Sequence, residues 1–346
     1  MKTRLVKSFI AAAILGSAVG VRAEEVQEVT LKVHHFLSPQ ATQQRLLLQP
    51  WCDKLAKDSN NKLKCQIYPA MQLGGSPPQL YDQARDGVVD VSFVLAGYVA
   101  NRFPRMEVFD LPFMMTNAEA TSRAAWDYYE KFDKDEFADT HLLALNVHGP
   151  GNIYTVSKKV ETMADLRGLK LRAPTRQTNK MLAMMGATPV GMPVPQVPEA
   201  ISKGVIDGAV VPYEVAPAIK LNELVKHVAE TDRSYNALYT TVFVLTMNKA
   251  KYDSLPPQLK KVLDANSGIE LSGQFGKAMT DGDVPGKEKV VSSGVEVNVI
   301  PKAELENWKK ATDQLDDDWV KDMTAKGFDG KKLLQGAHDL IKKNTK

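Results

Sequence analysis

The chain has 346 residues, 44% of them hydrophobic and 25% charged; that balance excludes a disordered or fibrous chain and leaves room for two or three domains with sizeable cores. Lys and Arg total 44 against 41 Asp and Glu, a net charge of +3, which argues against a nucleic-acid binder held by phosphate contacts. The positive excess sits at the amino end. Residues 1–23 contain Lys2, Arg4, Lys7 and Arg22 and no acid, so the remainder carries a net −1. The basic start, the apolar stretch Phe9–Val19 and Val21-Arg22-Ala23 together read as a secretory signal peptide cleaved after Ala23, too short for a comfortable membrane span. No later segment is apolar for 18 residues and no lipobox cysteine lies near the cleavage site. An exported, soluble protein of a Gram-negative periplasm is the simplest expectation.

Next along the chain, Glu28 to His34 alternates apolar and polar residues and predicts a strand. A helix is expected from about Ala41 to Lys57, then a strand over Leu63–Tyr68. Cys52 falls on that helix and Cys65 on that strand, and the turn Asp58-Ser59-Asn60-Asn61 folds one back on the other. In an oxidising compartment a Cys52–Cys65 disulfide follows, the alternative being two buried free thiols. Ser76-Pro77-Pro78 marks a helix start and Gly87 its stop. Val89–Phe93 is the next strand, Thr116 with Glu119 forms a capping box for a helix to about Phe132, and His141–Val147 is again a strand.

A second series begins with a strand at Lys170–Ala173 and a helix at Thr175–Met185, stopped by Gly186. Pro195–Lys203 is a helix stopped by Gly204, Asp207–Val211 a strand and Thr240–Met247 another. Leu255-Pro256-Pro257 opens a helical pattern that continues to about Val291; Val295, Val297 and Ile300 mark one more strand, and helices at Lys302–Lys326 and Lys331–Lys343 close the chain. Repeated β-α-β units predict α/β layers with mostly parallel sheets. Two series predict two lobes, joined by strands and the long helix, with ligand in the cleft between them at the carboxyl ends of strands. The expected division is 24–149 with about 238–277 in the first lobe, and 150–237 with about 278–346, including the C-terminal helices, in the second.

Catalytic signatures are absent: there is no G-x-S-x-G, P-loop, H-E-x-x-H or G-x-G-x-x-G. His34 and His35 are adjacent on a strand and point to opposite faces, so they do not make a metal pair. The acidic run Asp316-Asp317-Asp318 reads as a solvated helix face. No cofactor and no metal site is expected. Arg172 stands out, because it lies at the end of a strand just before a helix, where its side chain would enter the cleft. A guanidinium there can hold a carboxylate through two parallel hydrogen bonds; position alone leaves open a structural ion pair or a solvated arginine.

Eight landmarks stand in order: Tyr68-Pro69-Ala70-Met71-Gln72-Leu73-Gly74-Gly75, Asp86-Gly87-Val88-Val89-Asp90, Leu111-Pro112-Phe113, Leu166–Pro174, Gly186-Ala187-Thr188-Pro189-Val190, Gly204-Val205-Ile206-Asp207-Gly208, Met247-Asn248-Lys249 and Leu255-Pro256-Pro257. By these the chain resembles the extracytoplasmic solute-binding proteins of tripartite ATP-independent periplasmic (TRAP) transporters, of the DctP type, over essentially its whole length after the leader. The resemblance implies a two-lobed periplasmic-binding-protein fold with a helix spanning both lobes, hinge closure on an organic acid, and a carboxylate-binding role for Arg172. It implies a binding protein, not an enzyme, that delivers its ligand to a small and a large integral membrane subunit. A monomer is expected. A ligand sensor for a receptor kinase is the alternative role on the same lobes.

Compared with the sialic-acid-binding members, apolar Leu95, Ile153 and Val211 stand at polar positions, and the second arginine of that type is missing at Ile153. The Trp that follows a metal-linked acid in some oxo-acid binders is also missing, although Glu214 keeps a metal-bridged ligand open. The pocket candidates are His35, Leu95, Tyr98, His148, Asn152, Thr175, Val194, Val211 and Tyr213, with Gln72, Tyr154, Arg176, Gln177, Glu214 and Phe243 in a second tier; Arg176 reads as a surface charge. One anion anchor among apolar walls favours an apolar or aromatic monocarboxylate. A sugar acid or an oxo or hydroxy acid is the alternative, but unpaired sugar hydroxyls would each cost roughly 1–3 kcal/mol.

Overall fold

The computed structural model describes residues 26–345; the signal-peptide reading and its cleavage site lie outside the described residues. Eleven strands among the described residues form two sheets. The first contains β1 (Val29–His35), β2 (Leu63–Tyr68), β3 (Val91–Leu95), β4 (Thr140–Val147) and the late strand Val242–Asn248. The second is built from β5 (Asn152–Thr155), β6 (Lys170–Ala173), β7 (Thr188–Gly191), β8 (Gly208–Val211), β9 (His227–Thr231) and β11 (Glu296–Ile300), Val242–Asn248 being β10. Their orders are β2-β1-β3-β10-β4 and β11-β9-β5-β8-β6-β7.

The sheets are more mixed than the β-α-β reading predicts. β10 runs antiparallel to both β3 and β4, and β5 antiparallel to both β8 and β9. Each of these two strands enters its sheet directly from the other lobe, without a crossover helix, so nothing forces it parallel. Three strands escape the sequence reading. β5 is buried along its whole length and shows no alternation. β7 is four residues long and contains Pro189 and Gly191, and β9 alternates only weakly. β3 begins two residues later than expected, at Val91.

Helix boundaries depart where chain chemistry intervenes. The helix expected from Ala41 begins as a wide turn, Gln43–Leu48, before α-helix Gln49–Asp58; Pro50, with no N–H, cannot complete an ordinary helical bond there. Asn117, not Thr116, caps helix Ala118–Tyr128, its side chain accepting from the Ala120 N–H. The helical pattern after Pro256 divides into Pro257–Ala265 and the 25-residue helix Gly268–Ser292. The expected helix Lys302–Lys326 is two, Lys302–Thr312 and Gln314–Ala325. The last helix, Gly330–Asn344, returns to pack on Ala118–Tyr128, and Lys343 pairs with Asp127 at 2.9 Å. Cys52 and Cys65 are disulfide-bonded, tying helix Gln49–Asp58 to β2 with a Cα–Cα distance of 5.6 Å.

The chain crosses between lobes after β4 and again before β10, and the two crossings are hydrogen-bonded, Gly151 N–H to Tyr239 O at 3.1 Å. Glycines permit this approach. A Cβ on Gly151 would sit 1.9 Å from the Tyr239 ring, and one on Gly149 would sit 1.8 Å from Asp283 Oδ2. The motif Gly149-Pro150-Gly151 is thus a crossing point. The 25-residue helix is the third link: Gly276 packs on Ala118 and Ser122 of the first lobe, and Gly286 on the Tyr213 backbone of the second.

Candidate functional site

The strands of both lobes end at one cleft. Phe36 and Leu37 follow β1, Leu95 ends β3 and leads to Tyr98, His148 follows β4, Arg172 lies on β6, and Val211 ends β8. All are at carboxyl ends, as expected for such sheets. β10 is antiparallel, so its amino end lies at the same edge and contributes Tyr239, Thr241 and Phe243. These side chains, with Gln43, Pro174, Val194, Pro212, Glu214 and Val215, line a small cavity between the lobes.

Arg172 is 2% exposed. Its Nε donates to Met192 O at 2.9 Å, Nη1 to Val210 O at 3.1 Å and Nη2 to Tyr98 Oη at 3.0 Å. A guanidinium carries five N–H groups, one on Nε and two on each Nη. Three are therefore occupied, and one remains on each of Nη1 and Nη2. The three partners are neutral oxygens, which fix the planar group in place without cancelling its charge. A buried cation with an unused N–H on each terminal nitrogen can receive a carboxylate. Tyr98 Oη accepts from Arg172 and also from Val194 N–H at 2.8 Å. Its own proton is then left to donate, and burial pushes its ionisation up, so the proton stays.

His148 is buried beside this pair, with Nδ1 donating to Gly149 O at 2.5 Å. Burial, with Arg172 adding its repulsion, pushes the ring down to about 4. It is neutral near pH 7, and Nε2 carries a lone pair. Glu214 is 5% exposed, and burial, reinforced by the neighbouring Asp283, pushes its carboxyl well above the usual range. The walls between are apolar or aromatic: Phe36, Leu95, Val194, Val211, Tyr239 and Phe243. The Phe36 and Tyr98 rings meet edge-on, with centroids 5.5 Å apart.

Of the expected site residues, Arg172, Leu95, Tyr98, His148, Val194, Val211, Glu214 and Phe243 line this cavity. The others lie elsewhere. His35 is fully buried below it, with Nε2 donating to Gln44 Oε1 at 2.9 Å and Nδ1 accepting from Leu37 N–H at 3.3 Å. Asn152 and Tyr213 face a separate groove on the crossing side, where Tyr213 donates to Glu230 at 3.0 Å. Tyr154 packs against Tyr213 in the interior. Thr175 caps helix Arg176–Met184 through the Thr178 N–H. Gln72 is exposed.

Arg176 is no solitary surface charge. It donates to Glu107 at 2.6 Å and Asp322 at 2.8 Å, and Gln177 joins it on Glu107 at 2.9 Å. Glu107 belongs to the first lobe, so these bonds cross the rim of the cleft. So does the Tyr98–Arg172–Val194 set, and Gly97 approaches Thr175 so closely that a Cβ would lie 2.5 Å from its Cγ2. The lobes are closed on one another.

Phe36, Leu37, Gln43, Pro174, Pro212, Val215, Tyr239 and Thr241 are lining residues that sequence reasoning missed. The carboxyl-end rule could have reached Phe36 and Pro174. Gln43 and Tyr239 needed the packing of one lobe against the other.

Solved structures resemble this one closely. A TRAP solute binding protein from Rhodoferax ferrireducens in complex with copurified benzoate is 51% identical, with a TM-score of 0.91 over 92% of this chain and 98% of that one. A marine metagenome TRAP solute binding protein specific for aromatic acid ligands, co-crystallised with 3-hydroxybenzoate, is 45% identical, with a TM-score of 0.91 over 92% and 100%. One from Bordetella bronchiseptica with bound (R)- and (S)-mandelate is 29% identical, with a TM-score of 0.83 over 91% and 99%. The model of bacterial extracellular solute-binding proteins of family 7, DctP, matches residues 33–322, and the chain belongs to that family.

Proposed function

We propose that this protein captures an apolar or aromatic monocarboxylic acid between its lobes in the periplasm and hands it to the membrane subunits of a TRAP transporter. Members of the family are extracytoplasmic substrate-binding proteins that work with such subunits on small organic acids, and they are not enzymes. The observation that carries the ligand class is the buried, unneutralised Arg172, with an unused N–H on each terminal nitrogen, set in apolar and aromatic walls. The carboxylate takes the two Arg172 donors and the Tyr98 hydroxyl proton. The body of the acid lies against Leu95, Val194, Val211 and Phe243, where burial contributes about 25 cal/mol per Å². The benzoate, 3-hydroxybenzoate and mandelate of the relatives have this shape.

The working form is a monomer, exported by cleavage after Ala23. Its lobes divide near 149/150 and 237/238, and these two crossings carry the hinge, while the helix Gly268–Ser292 runs on past 277/278 from one lobe to the other and the last helix returns to the first lobe. Thermal-shift screening tests the reading, because ligand in excess stabilises the fold by mass action. Benzoate-like acids should raise the midpoint more than uronates, aldonates or C4-dicarboxylates. A strong shift with a hexuronate or succinate and none with any aromatic or branched acid overturns the ligand class.

A further inference from the structure

Glu214 sits where the lobes meet. It follows β8 in the second lobe, and both of its side-chain partners belong to the first: Gln43 Nε2 donates to Oε1 at 2.8 Å, and the Thr42 hydroxyl also bonds the carboxyl. In the closed form Glu214 is 5% exposed. Its bonds span the cleft, so separating the lobes breaks them and returns the carboxyl to water. A second acid stands behind it. Asp283, on the helix Gly268–Ser292, accepts from the Glu214 backbone N–H at 2.8 Å and from that of Tyr213. Gly282 lets this helix press against both lobes at the same point: a Cβ there would lie 2.6 Å from Thr42 Oγ1 and 3.2 Å from Glu214 Cβ.

The cation that shares the cavity with Glu214 is Arg172. Once a ligand carboxylate occupies Arg172, an ionised Glu214 would be a buried anion with one acid behind it and another in front. No other neighbour offsets that charge: His148 is neutral, Tyr154 and Tyr239 keep their protons through burial, and Arg233 acts on Asp283. We infer that Glu214 takes a proton from water as the lobes close on the acid, so that ligand anion and proton enter the site together. The inference rests on the carboxylate-at-Arg172 reading and adds the proton to it. In the closed form burial, with Asp283 second, raises the Glu214 carboxyl well above its usual range; in water a glutamate ionises near about 4.3. Between those limits the closed form binds more protons, so affinity falls as pH rises, by up to about tenfold per unit. His148 has the opposite sign. Burial lowers its ring, so closure over it releases protons and cannot supply the uptake.

The experiment is calorimetric titration of the mature chain with benzoate near pH 7.5 in phosphate, HEPES and Tris. The slope of observed enthalpy against buffer ionisation enthalpy counts the protons bound with each ligand. It should show uptake of about half a proton or more. Glu214→Gln, which keeps the shape and an acceptor for Gln43, should bring the slope near zero, and Asp283→Asn, which leaves Glu214 buried, should retain most of it. The parent chain alone already tests the uptake, so a variant that fails to fold does not protect the inference. No uptake in the parent, or an uptake unchanged in Glu214→Gln, overturns it while leaving the carboxylate reading standing. Failure of both benzoate and 3-hydroxybenzoate to bind overturns both.

Discussion

Arg172 and Arg176 are four residues apart, one at the end of β6 and the other in the first turn of the following helix, and both reach across the cleft. Arg176, with its side chain 40% exposed, is neutralised by Glu107 and Asp322. Arg172, 2% exposed, is held by three neutral oxygens. The first is a clasp between lobes that water already screens. The second is a charge taken out of water with no counterion among the described residues, which costs free energy. Residue type and strand-end position are shared; the surroundings decide which arginine is paired across the cleft and which keeps its charge available to an anion.

The largest effect should come from Arg172→Ala. Truncating one partner of a buried, hydrogen-bonded charge pair costs about 2–5 kcal/mol, so carboxylate affinity measured by calorimetry should drop about thirtyfold or more. Arg172→Lys should not restore it, because the two-pronged edge is gone. An unchanged affinity in both variants would show that Arg172 is no anchor.

Tyr98→Phe should come next. It removes the acceptor that orients Arg172 Nη2, strands the Val194 N–H and deletes the donor offered to the ligand. Losses of about 1–3 kcal/mol per unpaired buried group predict a tenfold or greater loss of affinity with a native far-ultraviolet spectrum. An affinity within twofold of the parent refutes this role.

Arg176→Ala should cost less, about threefold, since partly exposed pairs contribute roughly 0–1 kcal/mol. The contrast with Arg172 is sharpened by salt. The clasp is screened as ionic strength rises, so the parent should lose a few-fold more affinity than the variant between low and high salt. Small-angle scattering of the unliganded variant should show a larger radius of gyration. Identical salt responses would mean that the Arg176 pairs play no part in closure.

The last expected effect is on stability against pH rather than on affinity. Burial holds the folded His148 ring down to about 4, whereas an unfolded histidine titrates near 6.5. Between those values the unfolded chain binds more protons, so stability falls as pH drops from about 6.5 to 4, by up to about 3 kcal/mol for this ring. Asp283, raised by burial to about 7, acts in the opposite sense as its own pH window is crossed. The comparison is therefore made with His148→Gln. Urea midpoints measured at pH 6.5 and 4.5 should fall further in the parent than in the variant, and equal falls would assign the loss to other groups.

Much of this protein is legible in its sequence where the signal is local. Period-two alternation predicted β1 and β2 to within a residue, because one face of each half-buried strand must be apolar. Glycines placed helix ends, as at Gly186 with φ +94° and Gly204 with φ +67°, because a left-handed backbone excludes most side chains. Arg172 was legible because a strand end before a helix points into the cleft in any fold of this class. The Cys52–Cys65 pair was legible because a short turn separates the two elements that carry it. What the sequence could not supply was whatever depends on two distant segments meeting. Whether an arginine is neutralised depends on Glu107 and Asp322, 69 and 146 residues from Arg176. The antiparallel entry of β5 and β10, the Tyr239 wall held over Gly151, and Gln43 facing Glu214 across 171 positions were decided only when the lobes closed, since hydrogen bonding and desolvation act through space and not along the chain.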